Sequence, residues 1–193
     1  MSQPITNTEQ NQRNEYMYTA MNEIDEVLFT REDIAKRVAE LGAEITRDYE
    51  GKDLIVVGIL KGAGVFMCDL IREINSPIII DFMSVSSYGN STVSSGIVRI
   101  TNDLHQDIQG CSVLIVEDII DTGNTLHYLR EYLNNRGAED VKICALLDKP
   151  SRRQVEVPVE YVGFEVEDRF IIGYGIDYAE KYRNLPFIGT LKQ

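Results

Sequence analysis

Residues 113–126 read VLIVEDIIDTGNTL, and the fold follows from how this stretch changes character along its length. Val113 to Val116 is uniformly apolar and largely β-branched, which suits a strand covered on both faces of a parallel sheet. Thr122, Gly123 and Asn124 are turn formers, and Leu126, Leu129 and Leu133 then recur at helical spacing until Gly137 closes the segment. A buried strand, a tight turn and an amphipathic helix in that order form the repeating unit of a doubly wound α/β fold. In such folds ligands bind beyond the carboxyl ends of the strands.

The same alternation extends both ways. Upstream, Thr30 caps a helix carrying Ile34, Val38, Leu41 and Ile45. LIVVGIL, Leu54–Leu60, is a second fully apolar strand, followed by the turn KGAG and by a helix predicted over Val65 to Ile74. Pro77 ends that unit before the strand IIIDFMSV. Downstream, VKICALLDK is a third strand of parallel type. Two segments break the pattern. Ser84 to Asp107 is rich in Ser, Thr, Gly and Asn, with only IVRI strand-like, and reads as a long mobile loop or a hairpin. Tyr161 to Leu191 is aromatic and Gly-rich, lacks helical spacing until about Tyr178, and is expected to cap the edge of the sheet.

A chain of 193 residues with 44% hydrophobic residues supports one substantial core. The expectation is a polar tail over 1–20, disordered in part, and a single α/β domain over 21–193. A net charge of -12 argues against nucleic acid as a partner, since a polyphosphate backbone would be repelled. A small phosphorylated metabolite is still admissible where backbone N–H groups, a few cations and a divalent metal gather locally. Cys68, Cys111 and Cys144 are widely spaced and read as buried reduced thiols. The first residues lack the apolar core of a signal peptide, and no apolar run is long enough to span a bilayer, so the cytosol is expected and a membrane is not.

The chemistry concentrates where the central stretch turns. Glu117 and Asp118 interrupt an apolar strand, and two adjacent carboxylates are costly to bury without partners or a cation. Strand geometry sends them to opposite faces, which favours sugar hydroxyls and a metal beyond the strand end as their targets. Thr122, Gly123, Asn124 and Thr125 lie where a helix begins, and free N–H groups with the helix dipole favour an anion there. Gly123 permits close backbone approach and the Thr hydroxyls add donors. Hydroxyl binders beside a phosphate cradle describe a ribose 5-phosphate site. The competing readings are a helix cap without function, and a receiver domain with phosphoacceptor aspartates. The second is disfavoured because no acidic pair ends LIVVGIL.

VLIVEDIIDTGNTL resembles the phosphoribosyl pyrophosphate motif of the type I phosphoribosyltransferases. LKGAGVFMCDL, IDFMSVSSYG, LLDKPSRR and VGFEVEDRFIIGYGIDYAEKYRNLP resemble its hypoxanthine-guanine branch, covering nearly everything from Thr30 onward. The resemblance implies a twisted, mostly parallel sheet with helices on both faces, a small hood from the N- and C-terminal segments, and a flexible lid loop. It implies transfer of the phosphoribosyl group from phosphoribosyl pyrophosphate to a 6-oxopurine in purine salvage, with Mg2+, in a homodimer or homotetramer. By the same resemblance Glu117 and Asp118 hold the ribose hydroxyls, while Asp121 is the general acid/base facing N7. Asp121 to Thr125 surround the 5-phosphate. Lys61, Gly62 and Arg183 bind pyrophosphate, with a cis peptide between Leu60 and Lys61. Lys149 donates to O6, Phe170 stacks on the base, and backbone near Ile171 and Asp177 reads its far edge. Glu117, Asp118 and Asp177 help to hold the metal, and Ser87 and Tyr88 belong to the lid. VEDRF stands where many relatives carry a proline-containing turn, and the segment before Thr30 matches no part of the pattern. A regulatory relative that binds phosphoribosyl pyrophosphate without purine turnover is the alternative; it should show a basic face and lack the base-site residues.

Overall fold

The computed structural model describes residues 22–87 and 98–192. The expected tail over 1–20 and the lid residue Tyr88 lie outside them, and of Ser87 only the backbone is described.

Strand β1 (Ile24–Phe29) leads into helix α1 (Arg31–Asp48), whose start is closed by a capping box. Thr30 Oγ1 accepts from the Asp33 N–H at 3.2 Å while the Asp33 carboxylate accepts from the Thr30 N–H at 3.0 Å. Then follow β2 (Leu54–Leu60), α2 (Gly64–Glu73), β3 (Ile78–Ser87), β4 (Val98–Asn102), β5 (Ser112–Ile120), α3 (Asn124–Asn135) and β6 (Asp140–Asp148). The chain ends with β7 (Tyr161–Glu165), β8 (Ile171–Ile172) and β9 (Ile188–Leu191).

Six strands form the main sheet in the order β4-β3-β2-β5-β6-β7, all parallel except β4. The two apolar runs explain themselves in this setting. Leu54 and Val56 of β2, with Leu114 and Val116 of β5, pack under Ile34, Val38, Leu41, Phe66 and Leu70 of α1 and α2. The intervening Ile55, Val57, Val113 and Ile115 pack under Leu126, Leu129 and Leu133 of α3 on the opposite face. Both faces are covered, so alternation disappears from the sequence. From β2 the chain moves outward to β3 and then returns to β5 on the other flank of β2. The carboxyl ends of β2 and β5 therefore flank the switch point of the sheet, where the crevice of a doubly wound fold lies. A second sheet of three strands, in the order β1-β9-β8, joins the two ends of the described chain.

The structure alters several expectations. Of the two readings of Ser84 to Asp107, the hairpin is the one the described residues support: Ser84 to Ser87 continue β3 and pair antiparallel with β4. Tyr161 to Glu165 does not cap the sheet but joins it as its last parallel strand, beside β6. The helical spacing near Tyr178 yields no helix; Ala179, Glu180 and Tyr182 have positive φ, which a helix cannot accommodate. Of the cysteines only Cys144 is buried, while Cys111 is intermediate and Cys68 exposed on α2. Among the described residues no helix is long and apolar enough to cross a membrane.

Candidate active site

Parallel pairing in register carries β2 and β5 upward together, so the loops that leave them meet at one end of the sheet. Beyond β2 come Lys61 and Gly62, and the Leu60–Lys61 peptide is cis. Beyond β5 come the acid pair and the turn into α3. A Cβ placed on Gly62 would stand 1.7 Å from Asp118 Oδ2, and one on Gly175 would stand 2.2 Å from the Gly62 carbonyl. Three chain segments thus converge on Gly62 without side chains between them.

The acid pair is half-buried at the end of the apolar strand. Glu117 Oε2 is shut off from solvent and has no hydrogen-bond partner. Burial pushes the Glu117 carboxyl well above the usual carboxylate range, and the neighbouring Asp118 adds to the shift. Burial also raises Asp118, offset by hydrogen bonds from Glu117 and the Ile119 N–H and by the charge of Arg183. A buried carboxyl with an orphaned oxygen suits a hydroxyl donor or a hard cation.

The start of α3 contrasts with that of α1. Its N-cap is Gly123 at φ 86°, with no side-chain cap and no acidic residue in the first turn. Thr122 Oγ1 offers the Asn124 N–H only a long contact of 3.4 Å. The helix-cap reading of DTGNT is therefore not what the turn does, and the first N–H groups of α3 remain available to an anion. A pocket of about 100 Å³, roughly three waters by volume, lies there, lined by Glu117, Asp121, Thr122, Gly123 and Thr125. Asn124 instead turns its side chain toward Thr122 and Gln154.

A larger cleft of about 900 Å³ adjoins it, lined by Asp121, Lys149, Arg152, Asp168, Arg169 and Phe170 and by hood residues including Asp25 and Thr190. Asp121 faces both cavities. Lys149 Nζ donates to the Arg169 carbonyl at 2.7 Å and lies 3.8 Å from Asp168. Phe170 is 54% exposed, lines the cleft and packs perpendicular to Tyr178 with ring centroids 5.2 Å apart. Ile171 is buried in the core beneath, with its backbone paired to Thr190 of β9.

Arg183 Nη1 donates to the Gly175 carbonyl at 2.8 Å, and its Nη2 lies 2.6 Å from Asp177 Oδ1. Asp177 Oδ2 accepts from the Glu180 N–H at 2.8 Å. Glu117, Asp118 and Asp177 do not form one ligand cluster: among the described residues no group of three His, Cys, Asp or Glu could hold a metal. The oxygen donors still fit a magnesium ion that keeps waters and substrate phosphate oxygens in its shell, since such an ion needs only one or two protein carboxylates.

Sequence reasoning missed several residues. Arg152 Nε donates to Asp121 Oδ1 at 3.2 Å and its Nη1 lies 3.6 Å from Asp168, so a cation sits beside the candidate acid/base. The doubled arginine after Lys149 was the available signal. Tyr178, Glu180 and the hood residue Asp25 carried none, because each enters the site by tertiary contact.

The phosphoribosyl transferase domain family matches residues 26–179. The chain is 54% identical over 171 residues to the hypoxanthine-guanine phosphoribosyltransferase of Bacillus subtilis, covering 89% of this chain and 95% of that one. It is 52% identical over 171 residues to the bifunctional protein TilS/HprT of Listeria monocytogenes, of which it spans about a quarter (26%). Among solved structures, a hypoxanthine phosphoribosyltransferase from Staphylococcus aureus superimposes with a TM-score of 0.88 at 50% identity, covering 90% of this chain and 95% of that one.

Proposed function

The chain belongs to the phosphoribosyltransferase family, and from that premise we propose that it transfers the 5-phosphoribosyl group of phosphoribosyl pyrophosphate to N9 of hypoxanthine. Guanine is the second base by chemistry, since it differs only at C2, and xanthine a third; the products are the nucleoside 5-monophosphate and pyrophosphate. One observation carries this reading. Asp121 faces both the small pocket at the α3 N-terminus and the wide cleft that holds Lys149 and Phe170.

The residues divide the work. Ribose hydroxyls donate to Glu117 and Asp118, which relieves the orphaned Glu117 oxygen. The N–H groups from Thr122 to Thr125 hold the 5-phosphate, with the hydroxyls of Thr122 and Thr125 beside them. Backbone at Lys61 and Gly62, together with Arg183, receives the pyrophosphate group. Phe170 stacks on the purine, and backbone at Ile171 and Asp177 meets its far edge. Lys149 spends one of its three N–H donors on the Arg169 carbonyl and keeps two for O6. Adenine would place an amino donor against that ammonium and is rejected for this reason. As N9 attacks the anomeric carbon, Asp121 accepts the N7 proton or holds it by hydrogen bonding, a role that typically contributes 10²–10⁴-fold, order of magnitude. A magnesium ion held by Asp177 or the acid pair with substrate oxygens would supply positive charge to the departing pyrophosphate. The enzyme is placed in the cytosol and, as a member of its family, in a homodimer or homotetramer.

The test is direct. The protein is incubated with phosphoribosyl pyrophosphate, magnesium and each of hypoxanthine, guanine, xanthine and adenine, and nucleotide formation is followed. Turnover of the 6-oxopurines and not of adenine is expected. No nucleotide from any base would overturn the enzymatic reading in favour of a regulatory protein that only binds phosphoribosyl pyrophosphate.

A further inference from the structure

Two cations stand beside the loop whose backbone is assigned to pyrophosphate, the Lys61 ammonium and the Arg183 guanidinium, and both are paired in the structure. Lys61 Nζ donates to Glu180 Oε2 at 2.8 Å, and Arg183 Nη2 lies 3.6 Å from Glu180 Oε1. One carboxylate bridges both, a different oxygen to each, as a phosphate group would. Lys61 and Glu180 come from positions 119 apart in sequence and both are about two-thirds exposed, 68% and 66%. Glu180 itself stands at φ 65°, between Ala179 at 50° and Tyr182 at 73°. The turn that presents it is closed by reciprocal bonds between Tyr178 and Lys181 and by the Glu180 N–H on Asp177. The same turn therefore fixes Asp177 on Arg183 and aims Glu180 at Lys61.

We propose that Glu180 is an internal counter-ion that occupies the Lys61–Arg183 cation pair and is displaced by the pyrophosphate group of substrate or product. This rests on the function proposed above. Such a residue sets affinity rather than chemistry. It pairs with an exposed ammonium and a largely covered guanidinium, and it competes with the anion for them, so that pyrophosphate departs more readily after transfer. Asp177 differs: it also pairs with Arg183, but through a guanidinium that is itself tied to the Gly175 carbonyl, so its contact is part of the frame.

The experiment is titration calorimetry of the full-length protein with inorganic pyrophosphate and magnesium, and separately with phosphoribosyl pyrophosphate and magnesium. Glu180→Gln keeps the shape and removes the charge. It should tighten pyrophosphate binding by about two- to fivefold, the range an exposed ion pair can supply, and lower the KM for phosphoribosyl pyrophosphate in the same direction with the KM for hypoxanthine unmoved. In a Lys61→Met background the gain should shrink, because most of the competition is for that ammonium. Unchanged or weaker pyrophosphate binding by Glu180→Gln would show that Glu180 merely positions Lys61 or is inert. An equal gain in the Lys61→Met background would likewise overturn the proposal. If the unsubstituted protein binds neither ligand, the functional reading itself fails, which separates the two outcomes.

Discussion

Gly62 and Asp118 touch backbone to carboxylate: a Cβ on Gly62 would lie 1.7 Å from Asp118 Oδ2 and 2.5 Å from its Cγ. The loop after β2 and the acid pair of β5 are therefore one surface, and a methyl group at position 62 must displace a buried carboxylate. Gly62→Ala is expected to destabilise the fold by about 1–3 kcal/mol, the usual cost of overpacking. It should also raise the KM for phosphoribosyl pyrophosphate. Thermal melts and steady-state kinetics check this, and a variant with both quantities unchanged would show that the contact relaxes freely.

Glu117→Gln should stabilise the protein while disabling it. The folded-state pKa of Glu117 is raised, so the native state favours the protonated form. Stability attached to this group is therefore complete below the ordinary glutamate pKa and is lost as pH rises toward the native value. Each unit of that difference costs about 1.4 kcal/mol once both states are ionised. Glutamine removes the penalty, so its gain in Tm should be larger at pH 7.5 than at pH 5, with activity strongly reduced. A Tm gain independent of pH, or a loss at both, would contradict the assignment.

Lys149→Gln tests how the base is read. A neutral amide can present either a donor or an acceptor to position 6, so discrimination between hypoxanthine and adenine should shrink, by about tenfold or more if one charged hydrogen bond of roughly 1.5–3 kcal/mol is lost. Competition assays with both bases give the ratio. Retention of the original ratio would assign the discrimination elsewhere.

Phe170→Leu removes a ring that is 54% exposed and contributes little to the core. The fold should be unaffected and the KM for hypoxanthine should rise, stacking being worth about 1–3 kcal/mol per base. The KM for phosphoribosyl pyrophosphate should stay within about twofold, since Phe170 lines the wide cleft and not the pocket at α3. Equal changes in both constants would mean that the substitution disturbs the site as a whole.

Thr30→Ala is the control for stability without chemistry. It breaks the capping box of α1 at a residue that lines neither the wide cleft nor the pocket at α3, and should cost about 1 kcal/mol. Turnover at moderate temperature should be that of the unsubstituted protein. A fall in turnover would show that α1 communicates with the site.

The helices and the central strands were legible because the information is local. A doubly covered strand needs an unbroken apolar run, a helix needs its apolar residues at a spacing of about 3.6, and a glycine at positive φ marks Gly123. The weak elements were not. Ser84 to Ser87 could be read as loop or as hairpin because a polar strand is held by pairing with β4 and not by burial, and the burial pattern is all that composition reports. Tyr161 to Glu165 looks like a cap because it is the last strand of the sheet, defined by a single neighbour, β6.

By itself the sequence determined that an acidic pair ends an apolar strand and that a glycine turn leads into the next helix, since both depend on neighbouring residues, while the missing side-chain cap at Gly123 came from the structure. Only the tertiary structure decided what stands opposite them. Arg152 reaches Asp121 from 31 positions away, and Glu180 reaches Lys61 from 119. Such pairs arise because parallel strands deliver distant loops to the same end of the sheet, where charges settle by proximity in space, and no local pattern in the chain encodes that proximity.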